Sequence, residues 1–125
     1  MTRVLIVDDQ PGFRRHLRQL LTYAGLTVVG EAGNIPEAER MVQELGPELA
    51  IVDVMLPGIN GLEGTRRLLS LAPELRVILV SIYHDQADVF RTAAAEVGAK
   101  AFIPKDELDL PVVREWARPI SSSLT

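Results

Sequence analysis

Five short runs of aliphatic residues recur along the chain with little polar alternation: RVLIVD at 3–8, TVVGEA at 27–32, LAIVD at 49–53, RVILVS at 76–81 and AFI at 101–103. A strand with one face in water has to alternate, so runs of this kind predict strands covered on both faces. Between them apolar residues repeat at helical spacing. One set is Phe13, Leu17, Leu20, Leu21 and Ala24, a second Ala38, Met41, Val42 and Leu45, and another Phe90, Ala93, Ala94 and Val97. A helix opened by Gly61 carries Leu62, Leu68, Leu69 and Ala72, and a short last helix is expected at 111–118, where Pro111 suits a first turn and Pro119 cannot continue one. Gly25, Gly46 and Gly98 stand where helices should end. Strict strand and helix alternation implies the α/β class: a three-layer, doubly wound (βα)5 sandwich, with a five-stranded parallel sheet and helices on both faces.

The bulk numbers narrow the function. With 125 residues, 47% of them apolar, the chain is long enough for one domain with a real core and too short for two. A net charge of -4 without a Lys/Arg run argues against nucleic acid as a direct ligand. The absence of cysteine excludes disulfides and thiolate metal sites. The first apolar run stops at Asp8, too short for a signal-peptide core or a membrane span, so a cytoplasmic protein without membrane contact is expected. No internal repeat is found. The domain is expected over 1–119, with 120–125, which includes SSSLT, as a tail or the start of a linker.

The acids fall at informative places. In an open parallel sheet, ligands bind beyond the carboxyl ends of the strands, where strand order reverses. Asp8 and Asp9 close the first run and Asp53 the third, so in a flavodoxin-like order 2-1-3-4-5 the three converge. Carboxylates so close raise one another's pKa unless positive charge is supplied. Mg²⁺ fits, since it takes oxygen ligands and works with one or two carboxylates plus a phosphate oxygen. Beside such an ion Asp53 can attack phosphorus and form an acyl phosphate. Ser81 ends the fourth run with a small hydroxyl, and Lys105 follows the fifth with a mobile ammonium.

VDDQ, DVMLPGINGLE at 53–63, VSIYHD and AFIPKD, taken in order, resemble the receiver domain of bacterial two-component response regulators, over the chain up to its last helix. The resemblance implies a CheY-like fold with Asp53 as phosphoacceptor. It implies that Asp9 and Asp53 bind Mg²⁺ directly, Asp8 largely through water, and Met55 through its main-chain oxygen. Ser81 and Lys105 then contact the phosphoryl group, and Phe102 stands where the switch aromatic lies. The implied partner is a sensor histidine kinase, with a homodimer formed through the fourth helix, fifth strand and fifth helix. The only implied chemistry is self-catalysed aspartyl phosphorylation and dephosphorylation. The chain reads either as a stand-alone receiver or as the front of a longer regulator. DDQPGFRRHLRQLL and IPKD are similar to receivers that precede a LuxR-type DNA-binding domain, and in that second case the expected output is transcription through a domain outside this chain.

Two departures from the family pattern stand out. Proline precedes Lys105 instead of following it, and Phe102 lacks the ring hydroxyl of the more usual tyrosine. Pro57 and Gly58 set a tight turn after Asp53 whatever the family. The competing reading is a receiver-like interaction module that is never phosphorylated, supported by the rearranged IPKD loop. An aspartyl phosphatase would want a second acid two residues after the nucleophile, where Met55 stands, and a nucleotide carrier would want glycines in the first loop. His16 and His84 are assigned no role. Met41 is assigned to packing, and Trp116 to the core or a partner.

Overall fold

The computed structural model describes residues 1–117, apart from the side chain of His84. Strands and helices alternate as β1 (Arg3–Val7), α1 (Pro11–Tyr23), β2 (Thr27–Ala32), α2 (Ile35–Leu45), β3 (Leu49–Asp53), α3 (Gly61–Leu71), β4 (Arg76–Ser81), α4 (Ala87–Val97), β5 (Ala101–Pro104) and α5 (Leu110–Trp116). One turn of 3₁₀-helix precedes α4 at His84–Gln86, and another follows β5 at Lys105–Glu107. The sheet is wholly parallel, in the order β2-β1-β3-β4-β5. It is the doubly wound α/β arrangement expected from the alternation.

Alternate residues of the central strands feed two cores. Leu5, Val7, Ala50, Val52, Val77 and Leu79 face α2, α3 and α4, which contribute Ala38, Val42, Leu68 and Ala94. Val4, Ile6, Leu49, Ile51, Ile78 and Val80 face α1 and α5, which contribute Leu17, Leu21, Val113 and Trp116. This explains the lack of polar alternation in β1, β3 and β4, whose two faces both meet helices. Trp116 is thereby a core residue.

β2 departs from that pattern. It pairs on one side only, and of its six residues Ala32 alone is buried, because as an edge it carries Glu31 out to Arg14 and Arg18 of α1. The first strand ends at Val7, one residue short of the expected Asp8. Asp8 keeps its N–H on the Ala32 carbonyl at 2.9 Å, but its own carbonyl leaves the ladder for Arg14. The fifth runs on to Pro104, which an edge strand tolerates.

Side chains fix the starts of the helices behind the site. Asn34, Asn60 and Asp109 accept main-chain N–H bonds at the N-termini of α2, α3 and α5. Gly46 and Gly98 close α2 and α4 in the left-handed conformation. Pro111 sits in the first turn of α5, as expected, whereas Arg118, Pro119 and the tail at 120–125 lie outside the described residues.

Candidate functional site

Because β1 and β3 are neighbours, their carboxyl ends bring Asp8, Asp9 and Asp53 together, each offering an oxygen within 4.8 Å of the others. Their surroundings differ. Asp8 and Asp53 are buried, while Asp9 is exposed at the mouth. Asp8 Oδ1 accepts the N–H of Gln10 at 2.8 Å, and Asp53 Oδ1 accepts the N–H of Met55 at 3.1 Å. Each buried carboxylate thus closes its own turn and leaves its second oxygen to face the site.

Lys105 supplies the charge between them. Its ammonium lies 2.7 Å from Asp8 Oδ2 and 3.5 Å from Asp53 Oδ2, with its side chain only 9% exposed. The contact to Asp8 is an ion pair without hydrogen-bond alignment, so that oxygen has no aligned donor among the described residues. Placing proline before the lysine therefore does not keep it from the site. The Ile103–Pro104 bond is trans, as are all peptide bonds among the described residues. The ring of Phe13, in the first turn of α1, lies 4.1 Å beneath the ammonium.

Burial pushes the Asp53 carboxyl above its ordinary value, and the Asp8 charge adds to the rise. The Met55 N–H and Lys105 work against it without cancelling it. Three carboxylates facing one ammonium leave the site short of positive charge.

Ser81 is fully buried at the end of β4, one residue beyond Val80, which pairs with Asp53. Its Oγ accepts the N–H of Tyr83 at 3.2 Å, tying it to the chain that leads into α4. Phe102 is 4% exposed and packs on Phe90 of α4, with ring centroids 5.2 Å apart. The ring is thus already buried against α4 in this arrangement. Met55 is half exposed, and it lines a groove of about 500 Å³ beside Asp53 together with Asp9, Leu56, Pro57, Asn60, Leu62 and Phe90.

Two neighbours of the site were not singled out from the sequence for these roles. Phe13 reads there only as part of a buried helix face, and its contact with Lys105 joins opposite ends of the chain. Arg14 donates to the Asp8 carbonyl at 2.5 Å and to Glu31 at 3.0 Å. A basic residue one turn after an acidic pair is the faint signal that could have found it.

Residues 4–113 match the family model described as the response regulator receiver domain. Response regulator GacA of Pseudomonas viridiflava is 39% identical over 106 residues, which cover 84% of this chain and 49% of that protein. Chemotaxis protein CheY of Thermotoga maritima is 38% identical over 103 residues, covering 82% of this chain and 84% of that one. The crystal structure of a LuxR-family two-component response regulator from Aurantimonas sp. SI85-9A1 superposes with a TM-score of 0.81 at 31% identity, covering 99% of this chain and 86% of that one. The chain spans about half the length of GacA and several other curated relatives. With that match over most of its length and the acids and lysine gathered at the strand ends, the chain belongs to the response regulator receiver domain family of two-component systems.

Proposed function

We propose that this receiver takes a phosphoryl group onto Asp53 from a histidine kinase or a small acyl phosphate donor. The observation that carries the reading is the convergence of three carboxylate oxygens within 4.8 Å with Lys105 as their close counter-charge. An all-oxygen, charge-deficient donor set suits a hard divalent cation, and so does a buried Asp8 oxygen with no aligned donor. Asp9, Asp53 and the main-chain oxygen of Met55 would hold Mg²⁺ directly, with Asp8 acting through water. When bound, the ion neutralises charge on the incoming phosphoryl oxygens.

The rest of the work falls to the protein. A carboxylate oxygen of Asp53 forms the bond to phosphorus as the bond to the donor's nitrogen or acyl oxygen breaks. Lys105 gives up Asp8 for a phosphoryl oxygen, and the Ser81 hydroxyl turns from the Tyr83 N–H toward another. Because Ser81 leads into α4, that turn displaces the chain at 82–86 and the Phe90–Phe102 contact. The population then moves between two packings of the surface formed by α4, β5 and α5, where a second copy binds. Nearly complete reversal needs a differential of about 5.5 kcal/mol between them. In a protein of the relatives' length, transcription is the output, executed by a DNA-binding region other than this domain.

Incubation with acetyl phosphate and Mg²⁺ should add one phosphoryl group to the intact mass, and the same incubation with EDTA should add none. A parent protein that gains no mass from acetyl phosphate or from a phosphorylated histidine kinase would leave only the constitutive interaction module.

A further inference from the structure

We infer that Arg14 is a positioning residue for the acidic pair: tethered to Glu31, its guanidinium holds the Asp8 carbonyl and so sets the direction in which Asp9 is presented. The inference rests on the reading of Asp8, Asp9 and Asp53 as a Mg²⁺ site.

The geometry is a clamp across three segments. Arg14 Nη1 donates to the Asp8 carbonyl at 2.5 Å while its Nε donates to Glu31 Oε1 at 3.0 Å. Arg18 Nε takes the other Glu31 oxygen at 2.6 Å, so the carboxylate is fixed from both sides. Burial raises the Glu31 pKa, but the hydrogen bonds from Arg18 and Arg14 outweigh it and keep Glu31 below the usual carboxylate range. On its other side, the Asp8 N–H is held by the Ala32 carbonyl at 2.9 Å.

A carbonyl just past the end of a strand has no ladder partner and would otherwise turn to water. The Asp8 carbonyl and the Asp9 N–H share one planar peptide unit, so fixing the carbonyl fixes that plane and the departure angle of Asp9. Asp9 is exposed at the mouth of the site, so its direction depends more on its backbone than on packing. Only a planar fork with several donors can serve the carbonyl and Glu31 at once.

The sign of the effect separates positioning from charge. Arg14 is a cation beside a cation site, so if only its charge mattered, removing it would tighten Mg²⁺ binding. If it positions Asp9, removing it loosens binding.

The experiment is calorimetric titration of Mg²⁺ alone into the parent, Arg14→Met and Arg14→Lys. Phosphorylation by acetyl phosphate is followed in parallel across Mg²⁺ concentrations. Arg14→Met should bind Mg²⁺ roughly tenfold more weakly, the lower end of the range for an outer partner of a metal ligand. Arg14→Lys keeps the charge without the fork and should lie between. The Mg²⁺ concentration for half-maximal phosphorylation should rise in step, with the rate at saturating Mg²⁺ retained.

Equal or tighter binding by the variants, or a lower saturated rate at an unchanged Mg²⁺ constant, overturns the inference while leaving the metal site standing. A parent that binds no Mg²⁺ overturns both. If Arg14→Met does not fold by circular dichroism, Arg14→Lys decides alone.

Discussion

Asp53→Asn should gain no mass from acetyl phosphate and Mg²⁺, and in the absence of metal it should melt above the parent. The first effect is complete loss, because the amide that replaces the carboxylate cannot serve as the nucleophile. The second follows from where the charge sits. Asp53 is 4% exposed, and its ammonium contact, at 3.5 Å, is the longer of the two that Lys105 makes. Asparagine keeps the size and the bond from the Met55 N–H, while Lys105 keeps Asp8 at 2.7 Å. What is lost is mainly a desolvated negative charge beside another. A rise of about 3–6 °C is expected, corresponding to ~1 kcal/mol in a domain of this size.

A pH series makes the same point. Burial raises the Asp53 pKa, so folding favours its protonated form. That contribution is fully present below the ordinary value of 3.8 and is lost as pH rises through the raised folded value. The metal-free parent should therefore gain stability as pH falls from neutral into that window. Glu31 acts with the opposite sign: its lowered pKa contributes stability above the ordinary value of 4.5, lost as pH falls through the lowered one. In EDTA, thermal melts of the parent should show an acid-side gain that Asp53→Asn lacks, and Mg²⁺ should stabilise the parent far more than the variant. An Asp53→Asn protein that melts with or below the parent at neutral pH in EDTA would overturn this account of the site's charge.

The parts of the fold legible from the sequence were those set by local pattern and topology. β2, β3 and β4 fall at their expected bounds; for β3 and β4 the unbroken aliphatic run follows from burial of both faces. Once the order of strands is given, their ends dictate that Asp8, Asp53, Ser81 and Lys105 lie on one rim. What stayed illegible needs contacts between distant segments. VDDQ does not reveal that Asp8 is buried and Asp9 exposed, because that depends on how the peptide between them is turned, and Arg14 and Glu31 hold it there. AFIPKD does not reveal that Phe102 lies on Phe90, or that Lys105 rests over Phe13. The interaction-module reading drew its support from the proline before Lys105, yet the reach of a lysine stem makes that shift tolerable.

Gly61→Ala should be among the costliest single-methyl changes in the protein and should disable Asp53 without altering its side chain. The sequence marks Gly61 as the start of α3, yet its φ is not in the left-handed region, and Asn60 alone caps the helix. The reason for glycine is steric. A Cβ there would collide with the main-chain oxygen of Asp53 and come within 2.8 Å of its carbonyl carbon and 2.9 Å of Val54 Cα. All three are backbone atoms, so no rotamer relieves the clash. The Gly61 N–H also donates to the Val54 carbonyl at 2.9 Å, which sews the first turn of α3 to the chain just after the acceptor. Alanine must break that bond or drag the end of β3 with it. We expect a loss of about 3 kcal/mol, at the upper end for overpacking, and a drop in Tm on the order of 10 °C. Phosphorylation from acetyl phosphate should fall at least tenfold at a temperature where the variant is still folded, since a displacement of about 1 Å at a reacting group can cost a hundredfold. Gly64→Ala is the control. Its Cβ would press on the Cδ1 and Cγ1 of Ile35, a fully buried side chain of α2, so it too should destabilise, but it displaces no backbone at the acceptor. At a temperature where it is still folded it should therefore leave phosphorylation near that of the parent. If Gly61→Ala melts within about 2 °C of the parent and is phosphorylated at the same rate, the close approach of α3 to Asp53 is not what shapes the acceptor.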